Sequence, residues 1–346
     1  MRILIVRLGA LGDIVHGLPV VAALQRARPD ATIDWLVSAR HAAVLAHVPA
    51  VAQRHVVNDR RGAAEGRSIP AVLGALRACD YDVAIDLQGL VKSALLARLS
   101  GARRVIGFAR NVAREPLASL CYTETVDPSN DGTGVPMPAR HVTALNLSLL
   151  VPLGVPVATP AFPVLVPPSS VADHVCAQVG GRFALLNPGA AWPNKRWPPE
   201  RFGALAAALA RDHGLVSVVL SGPGEEPLAA AVVSHAAGAA IAAPPTTVGD
   251  VLALAARCAV MVTGDTGPAH LGVAVGAPLV GIYGPTRPER NGPVAADDVC
   301  VSRATSCACH HQRRCRRERM CLMEIDVDDV RAAVAQRLAR VEAMRG

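Results

Sequence analysis

Hydrophobic and polar positions along the chain repeat in one order: a short apolar run, a polar or glycine-containing loop, then apolar residues at helical spacing. Such runs predict buried strands, and the spacing after them predicts helices. The predicted strands are Arg2–Arg7, Thr32–Val37, one beginning at His55–Val57, Val83–Asp86, Arg104–Gly107, Phe183–Asn187, Val216–Ser221, Ala259–Thr263 and Leu279–Tyr283. Strands that alternate with helices predict an α/β protein with parallel sheets of the doubly wound kind.

A proline-rich stretch without charged residues separates the two halves of this pattern. It predicts an extended linker between domains. A chain of 346 residues is long enough for two domains. We therefore expect an N-terminal domain of residues 1–154, a linker of residues 155–170 and a C-terminal domain of residues 171–346.

Arginine carries almost all of the positive charge. The formal net charge is +7, and Lys92 and Lys195 are the only lysines. A basic surplus is compatible with nucleic acid, an anionic membrane surface or phosphorylated substrates. Because only 3% of the residues are aromatic and no nucleic-acid-binding motif occurs, we expect no nucleic-acid partner.

The chain has neither a predicted membrane span nor a predicted signal peptide. No 18-residue stretch has the composition of a transmembrane helix, and Arg7 and Asp13 interrupt the apolar N-terminal segment. We expect a cytoplasmic protein whose nine cysteines are mostly reduced.

Val262–Thr286 is the stretch richest in candidate chemistry. Its Gly264–Gly267 segment (G-D-T-G) lies between a predicted strand and a predicted helix. Backbone N–H groups at a helix start are unpaired, and the helix dipole adds about half a positive charge there. The segment therefore predicts a phosphate site. The residues alone also allow Asp265 and Thr266 to be only a helix cap.

A second candidate loop, Leu8–Asp13, follows the first strand. It reads L-G-A-L-G-D and lacks the G-x-G-x-x-G fingerprint of dinucleotide-binding proteins. Asp13 lies where the helix begins, at the carboxyl end of the strand. The residues alone slightly favour a simple N-cap aspartate.

These motifs resemble those of a known family. G-D-T-G-P-A-H-L from Gly264, followed by G-I-Y-G-P-T, resembles the bacterial heptosyltransferases of lipopolysaccharide core synthesis, glycosyltransferase family 9. H-x-L-P from His16 and K-R-W-P from Lys195 match the same family, so the resemblance covers nearly the whole chain. Asp86–Ser93 (D-L-Q-G-L-V-K-S) and Ala113–Leu120 (A-R-E-P-L-A-S-L) resemble its heptosyltransferase I subgroup.

The resemblance implies a GT-B fold, in which two Rossmann-like domains with parallel sheets face a central cleft. The last helix, Val327–Arg345, is then expected to pack back on the first domain. The implied reaction is an inverting transfer of L-glycero-D-manno-heptose from ADP-heptose to Kdo (3-deoxy-manno-octulosonate) of Kdo-lipid A, with no cofactor required for the chemistry. The implied enzyme is a monomer in peripheral contact with the cytoplasmic face of the inner membrane.

Two alternatives to this function stay open. One is heptosyltransferase II or another family-9 glycosyltransferase, which the cysteine-bearing segment near the C-terminus favours. The other, from a different class, is a two-domain protein that binds a nucleotide without catalysing a reaction.

The resemblance also implies roles for single residues. Asp13 matches the general base. The donor-binding residues are expected to be Lys195, Glu225, Asp265, Thr266, Gly267 and His270. The acceptor-binding residues are expected to be Arg60, Arg61, Lys92 and Arg114.

Three features leave those roles open at the level of the residues. Arg60 and Arg61 lie in a polar run typical of a solvated loop. Arg114 could instead form a salt bridge to a nearby carboxylate, Glu115 or Asp86. The subgroup tends to carry hydroxyl residues before the lysine, but this chain has alanines at 190 and 191, so phosphate contacts there would come from backbone N–H groups.

Five of the nine cysteines lie between Cys300 and Cys321. Clustered cysteine and histidine in a cytosolic protein favour zinc over disulfides, but the spacing is irregular. Three interpretations stay open: buried thiols, a disulfide-capable loop, or a structural zinc site. The candidate metal ligands are Cys307, Cys309, Cys315 and Cys321. No metal is expected in the catalytic chemistry.

Overall fold

The computed structural model describes residues 1–58, 66–130, 140–156, 159–307, 309, 312–315 and 317–344. The chain divides into two units, Met1–Leu165 and Val166–Gly346. Each unit contains one six-stranded parallel sheet, so the predicted α/β architecture is confirmed.

The sheet of the first unit has the strand order β3-β2-β1-β4-β5-β6. Its strands are β1 Arg2–Val6, β2 Thr32–Ser38, β3 Gln53–Val57, β4 Val83–Asp86, β5 Arg104–Phe108 and β6 Glu124–Val126. β1 and β4 are neighbours, with Val6 opposite Asp86 at their carboxyl ends. The strand order reverses between them, which is where ligands bind in open α/β sheets.

The second unit repeats this arrangement with the order β12-β11-β10-β7-β8-β9. Its strands are β7 Phe183–Asn187, β8 Val216–Val219, β9 Ala240–Ala242, β10 Val260–Gly264, β11 Leu279–Tyr283 and β12 Val299–Ser302. β7 and β10 are neighbours, with Asn187 opposite Thr263. The carboxyl ends of these two strands therefore lie side by side.

Helices and short 3₁₀ turns connect the strands. The α-helices are α1 Leu11–Ala27, α2 Ile69–Arg77, α3 Val91–Leu99, α4 Val142–Ser148, α5 Ser170–Val179, α6 Pro199–His213, α7 Glu226–Ser234, α8 Val248–Arg257, α9 Gly267–Ala274, α10 Pro288–Asn291 and α11 Val327–Ala343. The 3₁₀ helices are Ala39–His47, Pro116–Cys121, Pro128–Asn130, Val151–Leu153, Pro193–Lys195, Ala304–Ser306 and Cys321–Glu324. None of the helices that the structure describes combines the length and apolar character that a bilayer span requires.

Three strands were not predicted from the sequence: β6, β9 and β12. All three lie at a sheet edge. Their residues are mostly half-buried or exposed, whereas β7, β10 and β11 are buried throughout. Edge strands bury fewer side chains, so their hydrophobic signal is weaker.

α11 packs on the sheet of the second unit, against β10, β11 and β12, and on α6. Val330, Val334 and Leu338 are buried in that contact. At its centre Arg337 donates to Asp298 at 2.8 Å, and both side chains are nearly inaccessible. The last helix therefore belongs to the core of its own unit.

Candidate functional site

In the first unit, Asp13 lies in the first turn of α1, three residues after Ala10. α1 begins at Leu11, earlier than predicted, so Asp13 is not the N-cap residue. Its carboxylate accepts the N–H of Ala10 at 3.1 Å and lies 2.7 Å from the guanidinium of Arg7. The Asp13 side chain is 36% exposed and Arg7 only 7%. The contacts with Arg7 and Ala10 thus orient the carboxylate, and the rest of the side chain is accessible to solvent. A general base needs both properties.

Arg7 is a residue that the sequence analysis did not single out. It follows β1 directly, and its guanidinium also donates to the carbonyl oxygen of Leu87 at the end of β4. Trp35 donates its indole N–H to the Arg7 carbonyl at 3.1 Å. A buried guanidinium needs hydrogen-bonding or charged partners. Asp13, which follows in the same loop, is the one such partner of Arg7 that the sequence could have indicated.

Asp86 ties the end of β4 to the loop that follows it. Its carboxylate accepts hydrogen bonds from Ser93 (2.8 Å), Tyr122 (2.7 Å) and the N–H of Gln88 (2.8 Å). Burial raises the pKa of Asp86 above its ordinary value, although these hydrogen bonds act in the opposite direction. Gln88 in turn accepts the N–H of Leu8 at 2.9 Å, which connects this loop to the loop of Asp13.

The two segments that resemble heptosyltransferase I touch each other. The N–H of Glu115 donates to the Gly89 carbonyl at 2.9 Å, and the Glu115 carboxylate accepts the N–H of Val91 at 2.7 Å. Gly89 has a φ of +66°, and a Cβ there would lie 3.2 Å from the backbone nitrogen of Arg114. The backbones that carry Lys92 and Arg114 are therefore brought together at one end of the sheet.

The acceptor residues expected from the sequence fall into two groups. Lys92 lies in the first turn of α3, and Arg114 lies in the loop after β5. Among the described residues, no ion pair joins Arg114 to Asp86 or Glu115, the two carboxylates considered as alternative partners. Arg60 and Arg61 lie outside the described residues.

In the second unit, Asp265 lies between two basic side chains at the end of β10. Its carboxylate is 2.6 Å from the Lys195 Nζ and 3.2 Å from the His270 Nε2. Burial alone would raise the pKa of Asp265, but the hydrogen bond and charge of His270 and the charge of Lys195 outweigh it. The pKa is therefore held well below its ordinary value. Asp265 is an anchor that fixes the Lys195 ammonium next to the start of α9.

Thr266 is the N-cap residue of α9 by position, but its side chain makes no capping hydrogen bond. Its hydroxyl instead accepts from the buried Asn187 amide at 3.0 Å, and the same amide donates to the Thr263 hydroxyl. The Thr266 side chain therefore does not cap the helix, although the residue stands at the N-cap position. At the helix start, the backbone N–H groups of Gly267 and Ala269 precede the first bond within the helix, which His270 makes to the Thr266 carbonyl, and Pro268 has no N–H. Asn187 was missed by the sequence analysis.

Glu225 lies against the loop that carries Lys195. Its carboxylate accepts the N–H of Gly222 at 3.3 Å and lies 3.4 Å from the Arg196 guanidinium. A Cβ on Gly189 would come within 1.9 Å of that carboxylate, so a larger residue there would displace the Glu225 side chain. The neighbouring Glu226 accepts the N–H of Gly224 at 3.2 Å in an exposed contact. Arg196, which also donates to the Ala190 carbonyl, is another residue that the sequence analysis did not identify.

One group of described residues outside these loops has metal-ligand geometry: Asp34, His55 and Cys79. Asp34 already accepts a hydrogen bond from Tyr81 at 2.7 Å and forms an ion pair with Arg2 at 2.9 Å. His55 contacts the same Tyr81 hydroxyl. These contacts account for the group as a buried polar network of the sheet.

The comparisons with known proteins agree with this geometry. The family model described as glycosyltransferase family 9 (heptosyltransferase) matches residues 70–321. The chain is 30% identical to the lipopolysaccharide heptosyltransferase 1 of Pseudomonas aeruginosa, over 89% of this chain and 85% of that protein. It is 27% identical to the lipopolysaccharide heptosyltransferase 2 of Escherichia coli K12, over 85% of this chain and 86% of that protein.

Solved structures of the E. coli heptosyltransferase WaaC are similar to the chain over nearly its whole length. The structure with ADP has a TM-score of 0.77 and 26% identity, over 97% of this chain and 100% of that one. The structure with ADP-2-deoxy-2-fluoro heptose has a TM-score of 0.72 and 27% identity, over 97% and 99%. The fold is accordingly GT-B, as expected from the sequence.

Proposed function

Because the chain belongs to glycosyltransferase family 9, we propose that it is the transferase that moves L-glycero-D-manno-heptose from ADP-heptose to the Kdo of Kdo-lipid A. The observation that carries the proposal is the paired arrangement of Arg7 with Asp13 in one unit and of Lys195 with Asp265 in the other. The first pair provides an oriented base. The second provides a cation fixed beside a helix start.

Asp13 takes the proton from the acceptor hydroxyl as that oxygen attacks the anomeric carbon of the heptose. The new C–O bond forms as the bond to the diphosphate breaks, and the configuration inverts. General-base catalysis of this kind contributes roughly 10²–10⁴-fold to the rate. Arg7 holds the carboxylate in place, and the exposed face of Asp13 receives the hydroxyl.

Negative charge develops on the departing ADP in the transition state. Lys195 and the backbone N–H groups at the start of α9, including that of Gly267, are the groups that stabilise this charge. Preorganised donors of this type are worth about 3–4 kcal/mol each. Asp265 keeps the Lys195 ammonium at its site before the donor arrives, and His270 contacts the other oxygen of the Asp265 carboxylate.

The remaining donor and acceptor groups act by binding. Glu225 accepts hydrogen bonds from the ribose hydroxyls of the nucleotide, a role that carboxylates at strand ends play in nucleotide sites. Lys92 and Arg114 bind the anionic groups of the acceptor, and Arg114 is suited to a bidentate contact with a carboxylate or phosphate. Arg60 and Arg61 are proposed as further acceptor contacts.

The main alternative is heptosyltransferase II, whose acceptor already carries a heptose. The contact between the Gly89–Lys92 and Arg114–Glu115 segments supports heptosyltransferase I, since both motifs resemble that subgroup. The third interpretation, a protein that binds nucleotide without chemistry, is opposed by membership in a family of transferases.

We further propose that the enzyme works as a monomer at the cytoplasmic face of the inner membrane. The lipid acceptor and the basic net charge of +7 support peripheral contact with an anionic surface.

ADP release from ADP-heptose tests the reaction. The acceptor is Kdo-lipid A, deacylated for solubility, and the product is measured by mass. ADP release that requires this acceptor, with a mass gain of one heptose, supports heptosyltransferase I. Release only with an already heptosylated core assigns heptosyltransferase II instead. ADP binding without transfer to either acceptor contradicts both enzymes.

A further inference from the structure

The Trp192 side chain lies next to two cations of the second unit. Its ring centroid is 4.7 Å from the Lys195 ammonium and 5.9 Å from the Arg313 guanidinium. A cation within about 6 Å of a ring centroid is attracted by the negative face of the ring. Lys195 belongs to the loop after β7 and Arg313 to the segment that follows β12, so only the fold brings both cations to one aromatic side chain.

A hydrogen bond beside this ring joins the same two segments. Asn194, which precedes Lys195, donates its buried side-chain amide to the carbonyl of Gln312 at 2.8 Å. Gln312 is in turn the residue before Arg313. Because this contact is a directional hydrogen bond, it fixes the backbone that carries Arg313 against the loop that carries Lys195.

Buried cysteines lie on both sides of Arg313 in its segment. Cys307, Cys309 and Cys321 are buried together, and Cys315 packs against them. These four described residues do not fit the zinc site considered from the sequence, because no three of their sulfur atoms lie within 4.8 Å of one another. A zinc tetrathiolate needs four sulfurs about 2.3 Å from one metal ion. The cysteines therefore act as small apolar side chains that hold the segment in place.

The other cations of the donor loops are paired with carboxylates, whereas Arg313 is not. The Lys195 ammonium is 2.6 Å from Asp265, and the Arg196 guanidinium is 3.4 Å from Glu225. Within the part of the chain that the structure describes, no carboxylate forms an ion pair with Arg313. The Arg313 side chain is exposed and carries a positive charge that these pairs do not offset.

The departing ADP needs more positive charge around it than the intact donor does. When the bond from the anomeric carbon to the β-phosphate oxygen breaks, its electron pair stays on that oxygen, and the diphosphate gains one negative charge. The charge of Lys195 is already partly offset by Asp265. A second cation nearby would stabilise the added charge, and the planar guanidinium of an arginine suits phosphate oxygens.

We propose that Arg313 is a second phosphate-binding cation of the donor site and that Trp192 is the positioning residue that holds Lys195 and Arg313 near each other. The idea rests on the proposed function, because that function makes a nucleoside diphosphate sugar the donor. Arg313 contacts the β-phosphate, whereas Trp192 acts only through the two cations. Without a ligand the two cations repel each other, and the attraction of the ring offsets part of that repulsion.

The affinities of the full-length protein for ADP and for AMP, measured by calorimetry, test the role of Arg313. Arg313→Gln is expected to raise the Kd for ADP about 10-fold and to change the Kd for AMP much less, since AMP lacks the β-phosphate. Arg314→Gln is the matched control, because it removes the same charge from the next residue, which is also exposed. It is expected to leave both Kd values near those of the unmutated protein.

Two substitutions of Trp192 separate the effect of its aromatic ring from that of its bulk. Trp192→Leu is expected to raise the Kd for ADP by roughly 5–30-fold, and Trp192→Phe, which keeps an aromatic face, by less. Tryptophan fluorescence gives a second measurement, because Trp35 and Trp197 are buried and Trp192 is only half-buried. ADP should change the emission of the unmutated protein, and Trp192→Phe should lose most of that change.

Each outcome supports or overturns one of the two roles. Equal Kd values for ADP in Arg313→Gln and Arg314→Gln would overturn the role of Arg313, and so would an equal weakening of ADP and AMP. An unchanged Kd in Trp192→Leu, equal losses in both Trp192 variants, or an emission change that Trp192→Phe keeps in full would overturn the role of Trp192. The expected pattern supports both roles.

The same measurements distinguish this inference from the proposed function. ADP binding that depends on Arg313, without sugar transfer to either acceptor, would contradict the proposed function and leave the phosphate contact intact. Sugar transfer with an ADP affinity that does not depend on Arg313 would do the reverse.

Discussion

Arg7 and Asp13 form an ion pair of 2.7 Å in which one partner is buried and the other is open to solvent. The buried guanidinium is further fixed by the Leu87 carbonyl at the end of the neighbouring strand. The orientation of the candidate base is therefore set by the core of the first unit and not by the loop alone.

Asp13→Asn is expected to lower kcat by about 10²–10⁴-fold, because the amide cannot accept the proton of the acceptor hydroxyl. Asparagine is close to aspartate in size and can still accept the N–H of Ala10. The Kd for ADP, measured by calorimetry, should stay near that of the unmutated protein. A variant that keeps most of its rate would remove Asp13 from the role of base.

Arg7→Lys is expected to lower kcat by about 10–100-fold, because a lysine cannot reach both Asp13 and Leu87 with a rigid planar fork. The change keeps the buried positive charge, so the loss reports positioning. We expect the KM for ADP-heptose to stay unchanged and the pH dependence of kcat to shift. A variant with a lower kcat, a lower Tm and an unchanged pH profile of kcat would indicate that Arg7 has only a structural role.

The two lysines of the chain provide a matched pair of variants. Lys195→Ala is expected to lower kcat/KM for the donor by about 10²–10³-fold and to weaken ADP binding, because it removes the cation fixed by Asp265. Lys92→Ala is expected to raise the KM for the acceptor and to leave the Kd for ADP unchanged. Steady-state kinetics with each substrate varied in turn distinguishes the two. An acceptor defect in Lys195→Ala would contradict the assignment.

Gly189→Ala is expected to weaken ADP binding, because the added Cβ would overlap the Glu225 carboxylate. Displacement of Glu225 breaks its contacts with Gly222 and Arg196. Gly181→Ala is the control, since a Cβ there meets no atom within 4 Å. Similar Kd values for both variants would show that Glu225 has no part in the donor site.

Asp265→Asn is expected to lower the free energy of unfolding by about 3–5 kcal/mol at neutral pH, because it leaves the Lys195 charge partly buried without its partner. Chemical denaturation measures the loss. Asp173→Asn is the control, since its ion pair with Arg257 is exposed and should contribute little.

The difference in unfolding free energy between the unmutated protein and Asp265→Asn depends on pH, because the pKa of Asp265 is lowered in the folded protein. The folded protein binds the proton less tightly than the unfolded chain, whose Asp pKa is about 3.9. The stabilisation is therefore fully present above that value and is lost as the pH falls through it towards the folded pKa. The gap between the unmutated protein and Asp265→Asn should be constant above about pH 5 and narrow below about pH 4. A constant gap at all pH values would contradict the ionised state of Asp265.

Most central strands could be predicted from the sequence, since β7, β10 and β11 are buried throughout and appear as continuous apolar runs. Helix starts were less accurate. The sequence analysis placed the start of α1 at Asp13, but the helix begins at Leu11. Asp13 accepts the Ala10 N–H from within the first turn, and Ala10, the N-cap residue, makes no side-chain capping hydrogen bond. The local sequence pattern therefore predicts that a helix is present, but it does not show which groups accept hydrogen bonds from the first N–H groups of that helix.

By itself the sequence determined the α/β alternation, the family motifs and the candidate residues Asp13, Lys195 and Asp265. Periodicity, glycine-rich loops and motif spacing are properties of residues that are close in the sequence, so they can be recognised without knowledge of the fold. Only the tertiary structure decided that the Arg7 guanidinium pairs with Asp13 and that the Asn187 amide donates to the Thr266 hydroxyl. The contacts of Arg7 with Leu87 and of Asn187 with Thr266 join the ends of neighbouring strands, and the order and register of a parallel sheet decide which strand ends lie side by side.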